Sequence, residues 1–214
     1  MISHGLFIRR VNLRLTVLLL SVILIFGCKR NYTIEGNKVY FNYWNEGSGN
    51  NKWLISEADG KTFKSLDFDC NCSFTFGKDK SHVFIDGIAI RGIDPNSFRF
   101  IGNYIFRDKF SAYFFGFYND INECRIQNVN PDEIVLIRYP WAKAGDKLIH
   151  GSKAFQLDNL SDFLPIDEYW GKTKNEIIYH GSIMEGVDYE TFQIIDMYNG
   201  KDKYNKFRVG KIVK

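Results

Sequence analysis

Lys78-Asp79-Lys80-Ser81-His82-Val83-Phe84-Ile85-Asp86-Gly87-Ile88-Ala89-Ile90-Arg91-Gly92-Ile93-Asp94-Pro95-Asn96-Ser97-Phe98-Arg99-Phe100-Ile101-Gly102 is the stretch from which the rest of this 214-residue chain can be read. Ser73–Phe76 before it alternates polar and aromatic residues, and His82–Ile85 is rich in strand formers. Two such runs around the polar bend Lys78–Ser81 predict an antiparallel hairpin. Asp86-Gly87 marks a second turn and Ile88–Arg91 a further short strand. Then comes a helix-start signature. Asp94 has a capping side chain, Pro95 suits the first helical position, and Ile93 and Phe98 are spaced as a hydrophobic staple.

That signature returns along the chain. Asp or Asn is followed four residues later by a large apolar residue and three later by another: Asp59/Phe63/Leu66, Asp94/Phe98/Ile101, Asn130/Ile134/Ile137, Asn159/Phe163/Ile166 and Asp188/Phe192/Ile195. The intervals are 35, 36, 29 and 29 residues. A fixed period of this size predicts one small unit copied in tandem. The staple pair recurs as Val129/Ile134, Val187/Phe192 and, with a smaller residue, Ala58/Phe63. The polar bend recurs as Asp108-Lys109, Asp146-Lys147 and Asp202-Lys203, with Asn37-Lys38 and Thr173-Lys174 in the same slot. Asn37 precedes Asp59 by 22 residues and Asp108 precedes Asn130 by 22, so units one and three share a longer insertion.

The expected fold is mainly β: tandem short antiparallel meanders, each with a one- to two-turn capped helix. Neighbouring units should bury Phe63, Phe98, Ile134, Phe163 and Phe192 between them. The end of the chain, Lys206–Lys214, reads as the strand half of a sixth unit, a terminal cap strand.

Residues 1–27 read separately, as a secretory leader. Arg9, Arg10 and Arg14 precede an apolar run of 12 residues, Leu15–Phe26, too short to span a bilayer comfortably. It ends Ile25-Phe26-Gly27-Cys28, which resembles the lipobox of bacterial lipoproteins. The resemblance implies a diacylglycerol on the Cys28 thiol, cleavage after Gly27 and an acylated new amino terminus. Phe26 is bulkier than that pattern usually has. The plainer alternative is an uncleaved anchor with an incidental thiol. The expected organisation is a leader at 1–27, a tether at 28–34 and a repeat domain at 35–214. The leader holds three of the 28 basic residues and none of the 25 acidic ones, so the remainder is balanced at 25 of each. A balanced chain is poorly suited to nucleic acid, whose binding rests on neutralising phosphates.

The run Asp79–Phe98, with Arg107-Asp108-Lys109 and Tyr113-Phe114-Phe115, and Gly186-Val187-Asp188-Tyr189-Glu190-Thr191-Phe192, resembles the bacterial DKNYY family. Proteins similar to these are often predicted envelope lipoproteins without a known function. The resemblance thus implies membrane attachment in the cell envelope and transfers no catalytic residues.

Candidate chemistry is sparse. Cys70 and Cys72 flank Asn71, and on a strand would share a face. They read as a metal pair, a redox pair, or two thiols of which one bonds Cys124. Zinc normally takes four ligands in paired spacings, and no second pair exists here. His150-Gly151 and His180-Gly181 occupy turn slots equivalent to Asp86-Gly87, where water suffices as a partner. Asp59, Asp94 and Asp188 stand too far apart for a calcium loop, and capping explains Asp and Asn alike. Trp44, Trp53, Trp141 and Trp170 either stack on a glycan or fill the core. The functional expectation is a lipid-anchored, non-catalytic envelope scaffold without a cofactor, binding envelope proteins or glycans. The alternative is an envelope enzyme or metal-handling protein using Cys70/Cys72 or the turn histidines.

Overall fold

The computed structural model describes residues 30–70, 72–116 and 121–213 and contains six small antiparallel sheets in chain order. They span residues 31–54, 64–90, 99–126, 134–156, 164–183 and 193–212, and are numbered one to six in that order. Sheet one has three strands and each other sheet four, every strand pairing with its chain neighbour as a meander. In sheet two, for example, Lys64–Leu66, Phe76–Lys78, Val83–Ile85 and Ile88–Ile90 pair in succession.

Five apolar clusters join the sheets one to the next. Val39 and Phe41 of sheet one meet Phe63 and Phe84. Val83, Ile85 and Phe98 meet Phe106 and Tyr113. Ile105, Ala112 and Phe114 meet Ala142 and Ile149. Trp141 and Leu148 meet Phe163 and Ile178. Trp170, Ile177 and Tyr179 meet Phe207. The periodic apolar residues Phe63, Phe98, Ile134, Phe163 and Phe192 fall one to each cluster.

This stacking explains the composition of the strands. Successive strand residues point to opposite faces. Phe84 therefore packs toward sheet one while Val83 and Ile85 pack toward sheet three. A sheet covered on both faces needs an unbroken apolar run, and Val83–Ile85, Ala112–Phe114 and Ile177–Tyr179 are buried throughout. In sheet six only Phe207 of Lys206–Arg208 is buried. Among the described residues no sheet covers its other face, and the sequence alternates accordingly.

The expected capped helices are absent. Each signature makes a single turn instead: 3-10 at Pro131–Glu133 and Leu160–Asp162, and hydrogen-bonded turns closed by the Phe63 and Phe98 amides donating to the Asp59 and Asp94 carbonyls. Three residues cannot carry a helix nucleus, and the residues directly after each turn, such as Arg99–Gly102, form strand. Both members of each staple pair do share a cluster.

The phase of the repeat also differs from expectation. Each signature opens the sheet C-terminal to it, so Lys206–Arg208 and Lys211–Ile212 complete sheet six and are not a sixth fragment. The short unit is sheet one. Asn37 lies in the turn joining its first two strands, which places them as the second and third strands of a unit lacking its first. The first strand, Asn31–Glu35, takes up residues that the sequence assigned to a tether. The shared insertion is used in two ways. In sheet one it lengthens the hairpin Lys38–Asn45 and Gly49–Leu54, and in sheet three it carries the helix Ile121–Cys124.

The Asp-Lys bend is a clasp. Asp79, only 4% exposed, accepts from the Ser81 and His82 amides through Oδ1 and from the Asp59 amide through Oδ2 (2.7, 2.7 and 2.9 Å). Lys80 Nζ then pairs with the Asp59 carboxylate at 3.0 Å, and the Lys80 amide donates to Thr62 Oγ1. Asp108 and Lys109 repeat this with Asp94 and Ser97, and Asp202 and Lys203 with Asp188 and Thr191. The motif thus joins the turn between the second and third strands to the turn that opens the sheet. Close approach fixes a further position. A Cβ on Gly77, Gly171 or Gly200 would lie 2.5 Å from the ring of Phe63, Phe163 or Phe192 respectively.

Candidate functional site

Sheets three to six begin with a hairpin whose turn carries a tyrosine: Tyr104, Tyr139, Tyr169 and Tyr198. In sheets five and six an aspartate shapes the turn. Asp167 Oδ1 accepts from the Tyr169 and Trp170 amides, and Asp196 Oδ1 from the Tyr198 and Asn199 amides. Because the sheets stack in order, these rings come together. Tyr104 and Tyr139 have centroids 5.3 Å apart, and Tyr169 and Tyr198 6.5 Å. Tyr104, Tyr139 and Tyr169 are half-buried and Tyr198 is 51% exposed.

The turn between the third and fourth strands lies at the same end of each sheet. The ring of His150 packs on Trp141 at 4.4 Å and on His180 at 4.8 Å, and His180 lies 6.0 Å from Tyr169. The slot equivalence read from sequence is off by one residue. His150 pairs with Trp141 as Tyr179 pairs with Trp170, and His180 matches Gly151, whose amide likewise donates to the residue before the tryptophan. His180 therefore takes a left-handed turn conformation, φ 49°, while His150 ends the strand Lys147–His150.

Between the two rows of turns runs a trough. One cavity of about 240 Å³ lies over sheets three to five, lined by Tyr139, His150, Ser152 and Tyr169. Another of about 830 Å³ lies over sheets five and six, lined by Tyr169, Ser182, Tyr198 and Ile212. Lys153, Tyr169 and His180 line both, so the two adjoin.

Electrostatically the trough is close to balanced. Burial pushes His150 down to about 4, with its Nε2 2.8 Å from the Glu168 carbonyl oxygen. Burial and then Lys153 also lower His180. Burial raises Tyr139 and Tyr179. At neutral pH the rings are therefore uncharged. Lys153, Lys211, Glu123, Glu168 and Glu185 are the acidic and basic residues on its walls, besides the two histidines.

The sites singled out from sequence are dispersed. Asp59, Asp94, Asn130, Asn159 and Asp188 each open a different sheet. Lys80 and Lys203 hold Asp59 and Asp188 below the usual carboxylate range; for Asp94 the Ser97 hydroxyl does most of this. Asn130 Oδ1 accepts from the Asp132 amide, whereas Asn159 makes no side-chain cap bond. Of the readings left open for the three cysteines, the structure takes none that uses Cys124: Cys70 and Cys72 are joined to each other by a disulfide, and Cys124 is buried in the sheet two–three cluster. A disulfide offers no thiolate pair to a metal. Among the described residues no three His, Cys, Asp or Glu side chains are grouped so as to hold a metal ion. Trp141 and Trp170 are fully buried, so they are core residues, while Trp44 and Trp53 on sheet one are exposed. The leader and Cys28 lie outside the described residues. Among those described, no helix is long and apolar enough to cross a membrane.

The tyrosine row escapes a reading of the sequence, although its signal is present there. Its intervals of 35, 30 and 29 residues track those of the caps. Tyrosines in turns are common enough to pass unnoticed until the sheets are stacked.

No curated protein and no solved structure matches the chain. Residues 32–214, beginning in the first strand and running through all six sheets, match the DKNYY family. The match takes in the clasp and all the stacked meanders, and the chain belongs to the DKNYY family.

Proposed function

We propose that this protein is a lipid-anchored scaffold of the bacterial cell envelope, held through Cys28 and using its stacked sheets to bind or assemble other envelope components without catalysis or a cofactor. The observation that carries the binding half is the trough. It crosses several sheets and is lined by a row of tyrosines, of which Tyr139 and Tyr169 rest on the core beneath and Tyr198 is exposed. The anchoring half rests on the Cys28 lipobox resemblance. Arg30 already pairs with Asp86 at 2.8 Å, and the first strand starts at Asn31. A lipid on Cys28 would therefore hold sheets one and two within about 10 Å of the bilayer. The trough would lie farther along the stack, over sheets three to six.

Metabolic labelling with a clickable fatty acid tests the anchor. Label should enter the wild-type chain, and Cys28→Ala should lose both label and membrane association. Label persisting in Cys28→Ala would overturn the anchoring.

A further inference from the structure

We propose that the trough across sheets three to six is a binding site for an uncharged carbohydrate chain, whose sugar faces lie on Tyr139, Tyr169 and Tyr198. This deepens the scaffold reading and rests on it for the setting, but not for the chemistry.

Three observations point to this ligand class. First, the site is extended and repeats with the sheets. Its tyrosines recur at intervals of 30 and 29 residues, and its two cavities adjoin at Tyr169 and His180. A polymer of repeating units fits such a site better than a compact metabolite. Second, the walls are mixed. Aromatic rings, apolar on the face and polar at the edge, stand beside the hydroxyls of Ser152 and Ser182. A sugar ring has the same character, an apolar C–H face with hydroxyls around its rim. Third, the charges argue against both polyions. The walls carry two lysines and three glutamates, and His150 and His180 are neutral at pH 7, so no positive field draws a polyanion. A polycation would meet Lys153, which stands where the two cavities adjoin.

The test uses the full chain, purified in a detergent without a sugar head group. Titration calorimetry would be run with three probes: N-acetylglucosamine hexamer and cellohexaose as uncharged chains, and a hyaluronate oligomer as a polyanion. The expected result is saturable binding of at least one uncharged hexamer and weaker binding of hyaluronate. Tyr198→Ala, at the most exposed ring of the row, should weaken binding about tenfold, the scale of one lost stacking contact. Tyr169→Phe should retain binding, because the face is kept, while Tyr169→Ala should lose it. Thermal melts run in parallel separate lost binding from lost folding, and Tyr198→Ala serves if Tyr169→Ala unfolds. Binding of neither hexamer, preference for hyaluronate, or affinity unchanged in folded Tyr198→Ala would each overturn the site. These outcomes are distinguishable from failure of the scaffold reading. Pull-down of envelope proteins that survives in Tyr198→Ala, with no sugar binding, would remove the carbohydrate and leave the scaffold.

Discussion

Sheets two and three hold themselves together differently from sheets four and five. In the first pair each sheet is clasped from within. Asp79 and Asp108 are buried, and each ties two turns of its own sheet by three backbone amides. In the second pair the buried carboxylate of the clasp is lost, and only the exposed Lys174 in sheet five still reaches the opening turn, at Asp162 (3.5 Å). Asp146 is exposed and takes the Gln156 amide, and Thr173 fills the aspartate slot in sheet five. There the tie runs between sheets. Trp141 Nε1 donates to the Asp167 carbonyl of sheet five (2.7 Å), and Trp170 Nε1 to the Asp196 carbonyl of sheet six (3.2 Å). The same strand position holds Phe76 in sheet two and Ile105 in sheet three, with no donor to offer. In sheet six it holds Asn199, whose side-chain amide donates back to the Asp196 carboxylate of its own sheet. One position and one bend thus trade the task of order between them. A repeat whose internal clasp is lost can remain in register if its neighbour supplies the bond.

The strongest way to break this comparison is Trp141→Ala. It removes a fully buried indole from the sheet four–five cluster and leaves the Asp167 carbonyl without its donor. The expected loss is about 3–5 kcal/mol in chemical denaturation. In a stack where each unit touches only its neighbours, breaking one interface uncouples the two sides. The unfolding curve should therefore broaden or split. Trp141→Phe, which keeps most of the volume, should cost about 1 kcal/mol through the lost hydrogen bond. A single sharp transition in Trp141→Ala, with wild-type midpoint, would show that the indole ties nothing.

A smaller effect sharpens the other side. Asp108→Ala strands three amides around a buried site and should cost about 3 kcal/mol. Asp146→Ala, at the corresponding bend of sheet four, should fall within about 0.5 kcal/mol of wild type, as exposed substitutions do. Equal losses at the two positions, read from denaturant midpoints, would mean that the clasp is not what distinguishes the sheets.

These contrasts also show what could be read without coordinates. The strands at Val83–Ile85 and Ile88–Ile90 were legible because β-branched and aromatic runs between turn signals have few other uses. The period was legible because Asp, Asn and Phe return at fixed offsets. The helix was not, because a cap and a staple describe how a turn starts and say nothing about how far it continues; Arg99–Gly102 and Ile134–Arg138 ended it by preferring strand. The burial of Asp79 and Asp108 was hidden too. A polar bend looks solvated in sequence, and only pairing shows that its carboxylate faces inward onto two turns. The Cys70–Cys72 bond was open to several readings because spacing alone does not choose a partner. The trough was least legible of all, since its residues belong to different sheets and meet only through stacking.

The smallest expected effect separates the cap residues themselves. Asp94 accepts from the Ser97 amide and hydroxyl and pairs with Lys109, whereas Asn159 makes no cap bond from its side chain. Asp94→Ala should therefore cost about 1 kcal/mol, with only a minor part from the lysine, which is exposed to solvent. Asn159→Ala should be neutral within error. The same residue type in the same signature would then differ because the clasp around Asp94 fixes its turn and that around Asn159 has lost its buried carboxylate. If Asn159→Ala proved as costly as Asp94→Ala in matched melts, the signature would stabilise its turn independently of the Asp-Lys bend, and the division between clasped and bridged sheets would lose its physical basis.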